Sequence, residues 1–390
     1  MRAVAAILAM ILAAAWVPPA ALAAAMPAQR PTPRAVPAAS VPQPKVTADA
    51  AVLIDAATGT ILWSRQATQS RAPASTTKMM TALLALELGN PDDPVTVGPD
   101  AVNVEGSSIY LRAGERIALS ELLKGLLLKS ANDAAVAIAD HIAGSTAAFA
   151  DLMNARAKQL GLANTHFTNP HGLTQPDHYA SAYDLALLAR AAMAYPAFAA
   201  IVRSPTGAME GLSPDETSFV RGLRNTNRLL LSYDWVDGVK TGTTRAAGNC
   251  LVASGARGGQ RLIAVVLHSD NRWGDAIQLL EYGYAAYAFV PVAQNGQLIA
   301  TVRVSGARNP YVGLVAARSL AVPVPVADQA RVSVTASVSP NPAAPLQAGE
   351  RLGQLTATLD GRVLAQVDLV AARTVVRAPW WWFLVRWLGS

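Results

Sequence analysis

The sequence predicts an α+β protein in which a domain with helices inserted into an antiparallel sheet is followed by a small all-β domain. Three observations support this prediction. Short alternating runs precede a helical region, similar runs return after it, and a Val-rich segment without a long helical period comes last. Strands at both ends of a segment that encloses helices favour one antiparallel sheet, built from both ends, with a helical subdomain inserted.

The composition is typical of a globular protein with a sizeable core. The chain has 390 residues, of which 52% are hydrophobic and 15% charged, enough for about two or three domains. The net charge is +6, but the basic residues are scattered and not interleaved with aromatic residues, so nucleic acid is not expected as a partner. The single cysteine, Cys250, excludes an intrachain disulfide, a Cys-x-x-Cys redox pair and a multi-cysteine zinc site.

Residues 1–25 are predicted to be an export signal, because an apolar run follows Arg2 and precedes the small-residue cleavage pattern Ala21-Leu22-Ala23. An uncleaved membrane anchor is the alternative, but the run is shorter than the about 20 residues that a spanning helix needs. Residues 26–46 contain six prolines among small residues, a composition that favours an extended linker. The folded body is therefore expected to begin near Thr47, in a protein that works outside the cytoplasm.

Segment 47–288 is predicted to form the domain with helices inside a sheet. A hairpin is expected to join residues 51–55 to residues 60–64. The predicted helices, marked by apolar residues at helical spacing and by glycine or proline stops, are 75–88, 120–129, 133–142, 147–160, 182–194 and 274–287. The predicted strands that follow the helical region are 236–241, 248–254 and 261–268.

Segment 289–373 is predicted to form a small β-sandwich or barrel. Short Val-rich runs at 298–304, 332–338 and 362–370 are separated by Gly, Pro and Asn. This segment has no cluster of catalytic residue types, and the chain shows no internal repeat of solenoid length. Any chemistry is therefore expected in segment 47–288.

The first motif that can carry chemistry is Ser75-Thr76-Thr77-Lys78 at the start of a predicted helix. A serine and a lysine three residues apart share a helical face, with Cβ atoms about 5–6 Å apart. The serine becomes a nucleophile when a neighbouring base takes its proton, and lysine serves as that base when burial or a second cation lowers its pKa. An N-cap serine beside a surface lysine is the alternative. The helix that follows is apolar almost all round, which indicates burial.

Two further motifs are each weak alone. Ser130-Ala131-Asn132 lies in a turn between predicted helices and offers a hydroxyl for proton relay and an amide for a substrate carbonyl, with helix capping as the alternative. Lys240-Thr241-Gly242 lies on a predicted strand and offers a cation, a hydroxyl and a close backbone approach to a substrate that ends in a carboxylate. An ordinary edge strand is the alternative for this third motif.

Together and in this order, the motifs resemble the Ser-x-x-Lys, Ser-x-Asn and Lys-Thr-Gly set of serine penicillin-binding proteins and β-lactamases. The surrounding residues narrow the resemblance to D-alanyl-D-alanine carboxypeptidases, the low-molecular-mass penicillin-binding proteins of bacteria. These residues are ASTTKMMTA (74–82), KSANDA (129–134), FTNPHGL (167–173), AYDLA (182–186) and DGVKTG (237–242). The resemblance implies the penicillin-binding-protein/β-lactamase-like transpeptidase fold, followed by the family's β-rich spacer domain.

The resemblance also implies an acyl-enzyme cycle on a peptidoglycan stem peptide ending in D-Ala-D-Ala, with β-lactams as covalent inhibitors. It implies that Ser75 attacks the penultimate D-Ala carbonyl, that Lys78 takes its proton and that Ser130 relays a proton to the leaving D-Ala. The residues implied in substrate binding are Asn132, Lys240, Thr241, Gly242 and Thr243, the last through its backbone amide in the oxyanion hole. Neither a cofactor nor a metal is implied.

Two positions depart from this pattern or lie outside it. Several family members have histidine after Lys-Thr-Gly where this chain has Thr243, so pH dependence from that imidazole is not expected. Arg272 follows a predicted strand beside the expected site and is a candidate for the substrate carboxylate, with a solvated surface arginine as the alternative.

Other function classes have weaker support. Three histidines and Asp177 cluster in sequence between 166 and 178, but His-Glu-x-x-His is absent and the spacing matches no helical ligand pair for zinc. A Ser-His-Asp hydrolase is disfavoured because Gly-x-Ser-x-Gly is absent. A non-catalytic cell-wall scaffold and a DD-endopeptidase that cleaves cross-links stay as alternatives. The scaffold has little need of the complete motif set.

Residues 374–390 are predicted to anchor the protein to an anionic membrane surface. Pro379 is followed by WWWFLVRWL, a stretch too short to span a bilayer. Indole rings favour the headgroup level, and Arg373, Arg377 and Arg386 are expected to meet anionic lipid. The alternative is a strand that packs back on the β-rich domain. Peripheral attachment to the outer face of the cytoplasmic membrane is therefore expected.

Overall fold

The computed structural model describes residues 41–379 and 381. The predicted export signal and most of the linker lie outside these residues. In the first domain the strands are β1 (Ala50–Asp55), β2 (Ile61–Arg65), β3 (Pro94–Thr96), β4 (Arg116–Ala118), β5 (Thr206–Leu212), β6 (Ser218–Arg224), β7 (Val236–Thr244), β8 (Gly248–Arg257) and β9 (Gln260–Leu267). The helices are α1 (Lys78–Leu88), α2 (Leu119–Lys124), α3 (Asn132–Ala143), α4 (Thr146–Leu160), α5 (Ala182–Ala192), α6 (Pro196–Arg203) and α7 (Arg272–Ala286).

The main sheet has five antiparallel strands in the order β2-β1-β9-β8-β7. The N-terminal hairpin therefore pairs with strands that follow the helical region, as in the register of Val52 with Val265. This arrangement confirms the prediction of one antiparallel sheet built from both ends of the segment. β7 lies at one edge of this sheet, where a further extended chain can approach it.

The two faces of the sheet pack against different helices because side chains alternate along each strand. Val52 and Ile54 point into a core that includes α1, α3 and α5. Leu53 and Leu262 point to the other face, which α7 covers through residues such as Leu280. The sheet is thus buried between two layers, which fixes β7 against the helical subdomain.

Several local features differ from the predictions. The predicted helix at 75–88 begins as a 3₁₀ turn, Ala74–Thr77, and the one at 120–129 ends as a π-helical turn, Gly125–Lys129. Helix α6 and the small sheet β3-β4-β5-β6 were not predicted. Two strands of that sheet are three residues long, which is too short for an alternating pattern to emerge.

The C-terminal domain is all-β, as predicted. Its strands are β10 (Tyr287–Ala293), β11 (Leu298–Arg303), β12 (Tyr311–Ala316), β13 (Leu320–Pro325), β14 (Val332–Val338), β15 (Arg351–Leu359) and β16 (Arg362–Ala371). β10 pairs with β13, and the other five form a sheet in the order β11-β12-β16-β15-β14. Buried Val, Leu and Ala side chains fill the space between these strands, including Leu314, Leu355 and Leu369.

Packing extends beyond two of the predicted boundaries. The chain is already attached to the first domain before Thr47. Val46 is buried, and Gln43 Nε2 donates a 3.0 Å hydrogen bond to Tyr282 Oη. After residue 373, Val375 is buried and pairs with Leu346. Residues 374–378 therefore belong to the β domain by packing. Apart from Trp381, which is exposed, the predicted membrane-binding segment after Pro379 lies outside the described residues.

Within the described residues, no single helix has both the length and the apolar composition to cross a membrane. α5 and α6 reach these criteria only as a pair, and the pair is bent by 110°.

Candidate active site

Ser75 lies in the 3₁₀ turn that leads into α1, and its side chain is partly exposed. Gly242 on β7 allows this turn to approach the strand, because a Cβ atom at residue 242 would lie 3.0 Å from the backbone nitrogen of Ser75. A second glycine, Gly172, has φ +88° and no room for a side chain, since its Cβ would lie 2.0 Å from the Ala74 carbonyl oxygen. The turn at Ser75 is therefore held closely between two glycines.

Lys78 is fully buried directly below Ser75. Its Nζ atom lies 3.0 Å from Ser75 Oγ and donates hydrogen bonds of 2.6 Å to Asn132 Oδ1 and to the His171 carbonyl oxygen. Burial lowers the pKa of Lys78 well below its usual value of 10.5, and the charge of Lys240 lowers it further. This arrangement makes the neutral amine accessible next to a hydroxyl group.

Asn132 opens α3, and its side-chain amide is oriented by contacts on both sides. Its Oδ1 accepts from Lys78, whereas its Nδ2 donates to the backbone carbonyl of Glu105. The next residue, Asp133, is buried and accepts hydrogen bonds from Ser108 Oγ and from the backbone nitrogens of residues 109 and 111. Asp133 thereby holds the segment that orients Asn132.

Ser130 and Lys240 form a second buried pair. Ser130 follows the π-helical turn with a left-handed backbone, φ 65° and ψ 32°, and its Oγ accepts a 2.9 Å hydrogen bond from Lys240 Nζ. Burial and the nearby charge of Arg272 lower the pKa of Lys240 to about 7. Two lysines with lowered pKa thus approach the same site from α1 and β7.

The end of β7 offers the remaining polar groups. Thr241 Oγ1 is 2.6 Å from Thr226 Oγ1, so these hydroxyls form a hydrogen bond. Arg272, at the start of α7, donates from Nη1 to the Gly242 carbonyl at 3.1 Å and to Thr243 Oγ1 at 2.8 Å. Arg272 is therefore half-buried against the site and is not the solvated surface arginine considered as its alternative.

His171 and His178 lie next to the turn that carries Ser75 and Lys78 and are hydrogen-bonded to it. The buried His178 accepts from the backbone nitrogen of Thr168 at Nδ1, so its Nε2 carries the proton and donates to Thr77 Oγ1, 2.9 Å away. Burial lowers the pKa of His171 to about 3 and that of His178 to about 4. Both imidazoles are therefore neutral near pH 7, and no group of metal-ligating side chains occurs in the described part of the chain.

The structure brings all eight sequence-predicted site residues together. Hydrogen bonds join Lys78 to Ser75 and Asn132, and Lys240 to Ser130 and the Thr241 carbonyl. Gly242 contacts the turn at Ser75, and the next residue, Thr243, is hydrogen-bonded to Arg272. Sequence reasoning missed Thr226 and His178. No local motif marks Thr226, and His178 lies outside the quoted FTNPHGL run. The backbone carbonyl of His171 within that run is the part that reaches Lys78.

A serine beside a buried lysine, with a second lysine on the edge strand of this fold, defines the penicillin-binding-protein class of serine peptidases. Residues 37–271 match the family described as D-alanyl-D-alanine carboxypeptidase. Residues 287–377 match the family described as penicillin-binding protein 5, C-terminal domain. The chain belongs to the D-alanyl-D-alanine carboxypeptidase family and is a serine peptidase, a hydrolase.

Individual relatives agree with this assignment. The chain is 36% identical to D-alanyl-D-alanine carboxypeptidase DacF of Bacillus subtilis, over 88% of this chain and 90% of that protein. It is 33% identical to DacC of Escherichia coli, over 90% of this chain and 92% of that protein. Penicillin binding protein 5 from Haemophilus influenzae has a similar solved structure, with 32% identity and a TM-score of 0.69 over 87% of this chain and 100% of that one.

Proposed function

We propose that the protein removes the terminal D-Ala from peptidoglycan stem pentapeptides through an acyl-enzyme on Ser75, and that β-lactams acylate the same serine. The observation that carries this proposal is the set of neighbours around Lys78 Nζ. Two of them, Asn132 Oδ1 and the His171 carbonyl, can only accept hydrogen bonds, and the third is the Ser75 hydroxyl. A neutral lysine has two N–H groups for the two acceptors and one lone pair for the hydroxyl proton.

Acylation follows from this geometry. Ser75 Oγ attacks the penultimate D-Ala carbonyl carbon while its proton passes to Lys78. The developing oxyanion accepts hydrogen bonds from the backbone amides of Ser75 and Thr243, and Gly242 keeps these two segments close. Losing one such donor typically costs about 3–4 kcal/mol of transition-state stabilisation.

The second pair serves the leaving group and the terminal carboxylate. Ser130, held by Lys240, relays the proton to the leaving D-Ala nitrogen as the C–N bond breaks. Lys240, Thr241 and Arg272 present a cation, a hydroxyl and a guanidinium to the carboxylate. Asn132 has its amide beside Lys78 and holds the substrate once it enters. No cofactor takes part in this scheme.

Deacylation by water completes the cycle and restores the Ser75 hydroxyl. Class A β-lactamases use a glutamate for this step, whereas no Glu lies between Glu121 and Glu210 in this chain. The ester that penicillin forms with Ser75 is therefore expected to persist much longer than a β-lactamase intermediate. A chase of labelled protein with unlabelled penicillin measures its lifetime, and rapid multiple turnover would contradict this expectation.

Ser75→Ala tests the proposed function directly. Since the substitution removes the attacking oxygen, labelling by fluorescent penicillin should vanish, and D-Ala release from diacetyl-Lys-D-Ala-D-Ala should fall at least about 10⁴-fold. Circular dichroism establishes that the variant is folded. Stoichiometric labelling at another residue in this variant would refute Ser75 as the nucleophile.

We also propose that the protein acts in the periplasm or an equivalent extracytoplasmic space, attached to the outer face of the membrane through the Trp-rich tail. The sequence of residues 380–390 and the arginines at 373 and 377 support this proposal. Flotation with anionic liposomes compares the full chain with one that ends at Ala378. We expect only the full chain to float, and equal flotation would assign the tryptophans to folding.

A further inference from the structure

A basic cleft lies beside the proposed active site, between the end of β6 and the start of α7. It has a volume of about 490 Å³, within the range of about 300–1,000 Å³ typical of ligand sites. Its described lining contains no acidic side chain and four cationic ones, which are Lys129, Arg224, Arg228 and Arg272. The composition of this lining favours a negatively charged ligand.

Three of the four cations have no role in the proposed mechanism and no ion-pair partner in the described chain. Arg272 donates hydrogen bonds to the Gly242 carbonyl and to Thr243 Oγ1, and it is proposed to meet the substrate carboxylate. Lys129, Arg224 and Arg228 form no ion pair with any described carboxylate. An anion that neutralises them must therefore come from outside the described chain.

The like charges of this region lie close enough to influence one another. Burial lowers the pKa of Arg272, and the charge of Arg228 lowers it further. Burial likewise lowers the pKa of Lys240 to about 7, with the charge of Arg272 as the second cause. An anion among these cations would offset the repulsion between them, and an anion with several charges would contact more than one cation at once.

The loop that carries two of the arginines is held in place by buried side chains. Arg224 ends β6, and Arg228 begins the next 3₁₀ turn. Between them, the buried Asn225 and Asn227 donate side-chain hydrogen bonds of 3.1 and 2.8 Å to backbone carbonyls of α6 and β7. The backbone of the loop is therefore already ordered, and binding an anion here costs little further ordering.

The side chains of the basic cleft are suited to phosphate groups. Three of the four cations are arginines, and arginine presents a planar fork of donors that matches phosphate oxygens. Leu231, which is 62% exposed, and Trp273 add apolar surface to the same lining. A compact chain of phosphates, or phosphates separated by short carbon segments, would place several negative charges among the cations.

We propose that the basic cleft binds a ligand with several phosphate groups, and that the bound ligand competes with the substrate for Arg272. The binding is independent of the proposed function, whereas the competition rests on it. Two sources have this chemistry, which are a free polyphosphate and a polymer of phosphodiester-linked polyols. Because Arg272 belongs to both sites, the ligand should raise KM for diacetyl-Lys-D-Ala-D-Ala and leave kcat unchanged.

Calorimetry with sodium tripolyphosphate at constant ionic strength compares the full chain with the double variant Arg224→Gln/Arg228→Gln. We expect the double variant to bind at least about tenfold more weakly, because two of the four charges are lost. Arg203→Gln changes an exposed arginine at the end of α6 that does not line the cleft, and this matched control should bind as the full chain does. Equal binding by the double variant, or an equal loss in the control, would overturn the inference.

Steady-state kinetics compare tripolyphosphate with an oligomer of glycerol phosphate at equal phosphate concentration. Without either compound, kcat/KM of the double variant should stay within about twofold of that of the full chain. Stronger inhibition by the oligomer would identify a phosphodiester polymer as the source, and stronger inhibition by tripolyphosphate would identify the free compound. A fall in kcat with no change in KM would contradict competition for Arg272.

Failure of this inference can be told apart from failure of the proposed function. If the proposed function is wrong, penicillin does not label Ser75 and the peptide is not cleaved, yet calorimetry still decides whether the basic cleft binds phosphates. If labelling and cleavage occur but neither compound binds, only the inference about the cleft fails.

Discussion

The catalytic domain and the β domain differ in what they bury. The catalytic domain buries Lys78, Lys240, Asp133 and other charged or polar side chains. Among the described residues of the β domain, the buried side chains are apolar, and the ion pairs, such as Arg351 with Asp368, are exposed. The β domain has the pattern expected when only stability matters, because an exposed ion pair contributes little and an apolar core contributes much.

This difference in buried side chains indicates that the catalytic domain contains groups that lower its stability but can serve its chemistry. A buried ammonium group is unfavourable, and the unfavourable environment is what lowers the pKa of each lysine. Neither lysine is hydrogen-bonded to a carboxylate in the described chain; both bind neutral oxygens. A carboxylate partner would restore the charge and remove the base, so its absence from these bonds is consistent with the proposed chemistry.

Removing the proposed base, Lys78, should have the largest effect on activity of the substitutions compared between the two domains. Lys78→Ala should lower the rate of penicillin acylation by about 10²–10⁴-fold, because Ser75 loses the group that takes its proton. Lys124→Ala is the matched control, since Lys124 is paired with Glu121 and partly exposed in the same domain. Stopped-flow labelling gives the rates. Acylation of the Lys78 variant at the rate of the control would exclude Lys78 as the base.

A cavity in the β domain should lower stability and leave acylation nearly unchanged. Leu369→Ala removes a fully buried side chain from β16 and should lower the free energy of unfolding by about 2–5 kcal/mol, while penicillin acylation stays within about twofold. Leu298→Ala, at a position that is 62% exposed, should change neither quantity. Urea denaturation and labelling measure the two effects. A parallel loss of acylation in the Leu369 variant would mean that the β domain shapes the site.

The pH dependence of the reaction should distinguish the two lysines, because the proposed mechanism needs Lys78 neutral and Lys240 charged. In the proposed mechanism, Lys78 must lose its proton to act, so acylation should rise with pH, whereas Lys240 must keep its proton to bind a carboxylate. With its pKa lowered to about 7, Lys240 in the free protein loses its charge as pH rises through that value. We therefore expect a bell-shaped profile of kcat/KM whose alkaline limb begins near pH 7. Lys240→Arg should move that limb to higher pH, and an unmoved limb would assign it to another group.

The histidines should not contribute to this profile near neutrality. The pKa values of His171 and His178 are lowered to about 3 and about 4, so both are neutral throughout the range in which the lysines titrate. Thr243, directly after Lys-Thr-Gly, adds no titrating group.

The sequence by itself determined the main architecture, and it predicted the residues that the structure brings together in the candidate site. Hydrophobic alternation predicted β1, β2, β7, β8 and β9, and apolar spacing with glycine stops predicted most of the helices. The pair Ser75 and Lys78 was predictable because three residues of helical backbone place both side chains on one face, a geometry that depends on local conformation alone. The three motifs in their order, together with the residues around them, were sufficient for the family, which the comparisons confirm.

Only the tertiary structure decided how these residues act together. Lys240 and Ser130 are 110 residues apart and meet because the helical subdomain packs on the edge strand. Thr226 reaches Thr241 through a loop that follows the unpredicted strand β6. The lowered pKa of Lys78 depends on exclusion of water by α1, α3 and the 167–173 segment, and no local pattern encodes that exclusion. Local backbone preference is a property of a few neighbouring residues, whereas burial and charge proximity are properties of the packed chain.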